Sequence, residues 1–185
     1  MVISIRFLRR IHIWRKLNIP AEALNCFKEG QEFQFQDPPD YGAAEKSYRE
    51  AIDLAPDWGE PVHGLACVLQ EQNRYEESCE VERKAIQLLP SDPRPVLTLG
   101  WTLRLLGKYA EAVEALEKGL ALKPHYGEAD SRLMLAEVYE QLSQINKAAT
   151  LWRQIIGMDS MYPSYDEPME EAKKKLAQHG LPEKA

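Results

Sequence analysis

Histidine, cysteine and carboxylate side chains are the ones that can carry catalysis or hold a metal, and their spacing here gives them little to do. The four histidines, His12, His63, His125 and His179, have no carboxylate or cysteine at the separation that a triad, a metal site or a phosphate loop requires. The three cysteines, Cys26, Cys67 and Cys79, are an odd number and lack the paired spacing of metal ligands. No catalytic residue, metal or cofactor is therefore expected, and unpaired thiols suit a reducing, cytoplasmic setting. Cys67 fits a small, half-buried helical residue better than a nucleophile. What remains is the chemistry of recognition. Trp101 lies between Arg94 and Arg104, and tryptophan and arginine are the side chains that most often dominate protein interfaces.

Such side chains act only where the backbone places them, and the backbone here is built from a repeat. Tyr41, Tyr75 and Tyr109 stand 34 residues apart and Ile145 follows after 36. Ala44, Ser78, Ala112 and Ala148 keep the same intervals, as do Ala51, Ala85, Gly119 and Ile155, while Pro56, Pro90 and Pro124 close three units. Inside the unit from Pro90 to Pro124, Val96, Leu97, Leu99, Gly100, Leu103 and Leu106 recur at helical spacing, which predicts a helix from Pro93 to Leu106 that Gly107 ends. Tyr109, Ala112, Val113, Leu116, Leu120 and Leu122 predict a second, stopped before Pro124. Ser91 or Asp92 can cap the first, with Pro93 in its opening turn.

Each unit also carries a small residue in its first helix (Gly30, Ala66, Gly100, Ala136) and a large one three further on (Phe33, Leu69, Leu103, Tyr139). On these landmarks residues 21–160 resemble the tetratricopeptide repeat family. The resemblance implies an all-α fold, a right-handed α-α superhelix of four helix pairs plus a C-terminal capping helix. Late in the second helix, where the family has a large apolar residue, the units carry Tyr48, Glu82, Leu116 and Trp152, so Glu82 breaks the pattern. Members bind peptides on a concave groove formed by the first helices. Residues turned away from the second helices would here be Phe27, Gln31, His63, Cys67, Gln70, Arg94, Leu97, Trp101, Arg104, Leu133, Glu137 and Glu140. Trp101 then stands either open in the groove or folded against neighbouring helices. Some members clamp the acidic tails of chaperones; at those positions this chain has Phe27, Gln31, Gly64, Arg94 and Thr98, and Arg94 alone keeps a basic group.

The domain plan is a basic segment at 1–20, repeats over 21–163 (about 21–56, 57–90, 91–124 and 125–160), and a capping helix and tail at 164–185. In the cap, Met169, Ala172, Leu176 and Ala177 should cover the last repeat and Glu170, Glu171, Lys173, Lys174 and Lys175 face water. Arg6, Arg9, Arg10, Arg15 and Lys16 all precede the first acid, Glu22; with five of its positive charges there, a chain of net charge −6 carries −11 over the rest. That balance disfavours nucleic acid as a partner of the repeats. Ile3, Phe7, Ile11 and Trp14 would form an apolar helical stripe, whereas Ile3, Ile5 and Phe7 alternate like a strand. The segment suits a packed tail, an organellar presequence or an interfacial anchor at residues 1–19. The functional expectation is a non-enzymatic adaptor for a peptide or helix of a partner protein. The alternative is a membrane-associated assembly factor held by that segment.

Overall fold

A computed structural model describes residues 19–124, 127–158 and 166–184, and the basic segment 1–18 and the expected cap start at Ser164 lie outside them. Among the described residues every regular element is a helix. Two compact units are present, Met1–Pro90 and Ser91–Ala185. The first holds α1 (Ala21–Phe35) paired with α2 (Tyr41–Leu54), then α3 (Gly59–Glu71) paired with α4 (Tyr75–Leu88). The second holds α5 (Pro93–Leu105) with α6 (Tyr109–Ala121), α7 (Glu128–Gln141) with α8 (Ile145–Ile156), and α9 (Asp166–Gln178) packed on α8. Asp40 and Asp92 open their helices with carboxylates that accept from Ala43 N and Arg94 N, both at 2.9 Å.

Three hairpin turns share one device. Asn73, Gly107 and Ser143 adopt left-handed backbone (φ 61°, 71° and 58°) just after a first helix. Arg74 N then donates to Leu69 O, Lys108 N to Leu103 O and Gln144 N to Tyr139 O at 2.8–2.9 Å, satisfying carbonyls that a helix end leaves orphaned. Gly180 (φ 64°) closes α9 the same way, with Leu181 N donating to Leu176 O.

Close approach inside each pair depends on residues without bulk. A Cβ on Gly30 would stand 2.7 Å from the Tyr48 ring, and one on Gly64 of α3 would stand 2.8 Å from the same ring. Tyr48 is 1% exposed, its hydroxyl donates to Gln34 Oε1 at 2.6 Å, and around it Ala44, Leu65, Val68 and Leu69 form the core of the first unit. Ser78, which replaces alanine in the second repeat, is fully buried and donates to Ala66 O at 2.8 Å. In the second unit a Cβ on Gly100 would meet Leu116 at 2.6 Å, and Gly119 gives room to Leu97. The cap differs from expectation by a slight rotation: Pro168, Ala172 and Leu176 are its buried residues, whereas Ala177 is exposed. His179 stacks on buried Trp152 with ring centroids 5.5 Å apart.

Candidate functional site

Residues three before each small residue, Phe27, His63, Leu97 and Leu133, are equivalent in the repeat. They were expected to turn away from the second helices, and three do otherwise, His63 by meeting Glu82 of α4 at 2.9 Å. Phe27 packs against Tyr48 of α2 and Trp58, with centroids 5.8 and 4.8 Å apart, and Leu97 fills the space above Gly119 of α6. The reason is geometric: a small residue draws the second helix so near that side chains one turn earlier touch it as well. Gln31, one residue past Gly30, is exposed, and Gln70 is partly buried.

In the second unit Trp101 is 44% exposed on α5, and Leu105, one turn on, is 41% exposed. Together with half-buried Leu97 they make a ridge at i, i+4 and i+8. The contribution of Leu105 was missed in the sequence, although its spacing from Trp101 signals it. The arginines are not free charges. Arg94 is held by Asp92, two residues before it, at 2.5–3.0 Å, and Arg104 Nη1 lies 3.4 Å from Glu137 Oε2. Glu140 accepts from Lys175 at 2.7 Å and pairs with His179 at 2.8 Å, which ties α7 to α9. Leu133, Asp130 and Glu171 line a shallow cleft against α9.

The first unit overturns the expectation that no histidine has a cysteine and carboxylate in reach. His63 and Cys67 lie one turn apart on α3 and converge with Glu82 of α4. His63 Nδ1 is 2.9 Å from Glu82 Oε1, and Cys67 Sγ is 3.9 and 3.8 Å from the two ring nitrogens. Glu82 is fully buried and His63 nearly so. Burial opposes a charge on the imidazole, but hydrogen bonding and charge from Cys67 and Glu82 outweigh it and raise the His63 pKa to about 10. In the sequence this cluster was hidden because Glu82 lies 19 residues beyond His63, and only the packing of α3 on α4 brings them together.

Tetratricopeptide repeat models match residues 63–89 and 96–126, that is, α3 with α4 and α5 with α6. No curated protein matches the sequence. Among solved structures, the chain is similar to the 41-end form of MamA from Desulfovibrio magneticus RS-1, with a TM-score of 0.70 at 16% identity over 86% of this chain and 94% of that one. The TPR2B-domain:pHsp70-complex of yeast Sti1 gives 0.58 at 22% identity over 68% and 98%. An O-GlcNAc transferase mutant from Thermobaculum terrenum gives 0.65 at 21% over 72% of this chain, but the match spans only 25% of that enzyme. These likenesses are of fold, an all-α helical repeat. The chain thus carries tetratricopeptide repeats at residues 63–89 and 96–126, and the same landmarks recur in its other two helix pairs.

Proposed function

We propose that the chain is a non-enzymatic interaction module, an adaptor that receives a peptide or helix of a partner protein along the first helices of its repeats. The observation that carries this reading is the exposed apolar ridge of Trp101 and Leu105 on α5. A tryptophan in that position offers a large, stiff apolar surface that gains by being covered. The Sti1 structure, similar in fold, is a TPR2B-domain:pHsp70-complex, which supports a protein or peptide as ligand. Because Arg94 and Arg104 already face Asp92 and Glu137, an apolar side chain rather than an acid is the anchor this surface selects. Within the second unit Leu133 and Glu137 complete the candidate set, and Phe27, Gln31, His63 and Cys67 are the corresponding candidates of the first unit.

Partners recovered with the wild-type chain, purified and titrated against variants, test the reading. Trp101→Ala should weaken binding by roughly thirtyfold, the equivalent of about 2 kcal/mol for an interface hot spot. Arg104→Ala should cost about 1 kcal/mol or less and act mainly on the salt dependence. A Trp101→Ala protein with unchanged circular dichroism and full affinity for every partner would remove the ridge from consideration. A second reading places the acid-free segment with Arg6, Arg9, Arg10, Arg15 and Lys16 on an anionic membrane surface. Sedimentation with anionic vesicles that falls with added salt is its signature, and no sedimentation at low salt removes it. Among the described residues no helix is long and apolar enough to cross a membrane.

A further inference from the structure

We propose that His63, Cys67 and Glu82 form a binding site for a borderline-soft divalent cation, zinc by the chemistry of the donors. The inference stands apart from the peptide-binding reading, because it rests on Glu82, which breaks the apolar pattern late in the second helix. Late in the second helix the other repeats bury Tyr48, Leu116 and Trp152, each 0–1% exposed. The second repeat buries a carboxylate at the same point. Taking a carboxylate out of water is costly unless it is paired or coordinates a metal, so packing alone favours an apolar residue there. The residue facing it is changed too: His63 stands where the first and third repeats have Phe27 and Leu97. Cys67, one turn further along α3, supplies a third donor of a different kind.

The geometry suits a small tetrahedral ion. Bond lengths of about 2.3 Å to sulfur and about 2.0–2.2 Å to nitrogen and oxygen put tetrahedral donor atoms roughly 3.3–3.6 Å apart. Here the nitrogen-to-oxygen distance is 2.9 Å, the sulfur-to-nitrogen distances are 3.8 and 3.9 Å, and all three donors fall within 4.8 Å of one another. Side-chain rotations that close the widest gap by roughly 1 Å bring them to ligand spacing. Two donors one turn apart on a helix, met by a third from its partner helix, hold that spacing rigidly. The donor set also chooses the ion. A thiolate and an imidazole disfavour magnesium and calcium, and a carboxylate beside them favours zinc over monovalent copper. Binding takes the Cys67 sulfur as thiolate and the His63 imidazole as neutral, with both protons released to solvent, and leaves a fourth position for water or a donor from a bound partner.

The test uses the full chain, reduced and stripped of metal with a chelator, then titrated with cobalt(II) as a spectroscopic stand-in for zinc. The expected result is a saturable thiolate-to-cobalt charge-transfer band with the intense visible bands of a tetrahedral site, both erased by added zinc. Cys67→Ser should abolish the charge-transfer band and Cys26→Ser should leave it intact. Glu82→Gln should weaken binding by more than the roughly 10–100-fold that outer-shell changes cost. The double change His63→Leu with Glu82→Leu recreates the Leu97 and Leu116 arrangement of the third repeat, and should give a folded protein without the band. A wild-type chain with no band, a Cys67→Ser chain that keeps it, or a folded double variant that still binds would each overturn the site.

Discussion

Tyr48 is buried against glycines from two helices, so the smallest possible enlargement at either glycine has a large expected effect. Gly64→Ala would bring a methyl group within 2.8 Å of a ring that is itself enclosed, and should destabilise by about 1–3 kcal/mol in urea unfolding. Gly42→Ala, which meets only Asp40 Oδ1 at 3.5 Å, is the matched control and should differ from wild type by a few tenths. At this scale the sequence was partly legible. Gly30, Ala66, Gly100 and Ala136 declared the close crossings, because only small residues fit there. The direction of Phe27 and Leu97 was not legible, since it depends on how near the paired helix comes. Nor was the role of Glu82: a carboxylate at an apolar position reads as a lapse until the residue that answers it is known.

The helices of the third repeat begin and end within a residue of expectation because their limits are written in local chemistry, with a capping aspartate at 92 and the turn at Gly107. The turns hold an imbalance that can be measured. Ser143 occupies the left-handed position that Gly107 fills in the third repeat, and a side chain there costs about 1 kcal/mol that glycine avoids. Ser143→Gly should therefore raise stability by up to about 1 kcal/mol and Gly107→Ala should lower it by at least about as much. Asn73→Gly should change little, since asparagine tolerates this conformation. Equal melting temperatures for the Ser143 and Gly107 variants would contradict the assignment. The cap was legible as a helix within 164–185, whereas its orientation was displaced toward Pro168. Short helices with few apolar residues allow such a rotation, because Met169, Ala172, Leu176 and Ala177 define the face only loosely.

Across the molecule, the open side of the last repeat depends on α9, and charge contributes to holding it. Burial opposes ionisation of Glu140, but hydrogen bonds from Lys175 and His179 prevail and lower its pKa below the usual carboxylate value. A lowered folded pKa means that this contribution is complete above about pH 4.5 and is lost as pH falls through the lowered value. Arg104, Glu137 and Lys175 line the same cleft, so wild type and Glu140→Gln should be compared directly. Melts should show the variant less stable at neutral pH and the difference shrinking as pH falls below about 4.5; a constant difference would place the effect elsewhere. Deleting residues 166–185 should be more severe, baring Trp152 and promoting self-association seen in sedimentation. The contact of Gly64 with Tyr48 reaches further than stability. The second and third repeats are equal in length and invite shuffling, yet the third, set in place of the second, would bring Thr98 to the site of Gly64 and drive a branched side chain into the ring. A swap of the second repeat alone therefore costs stability that a swap of the first two repeats together avoids.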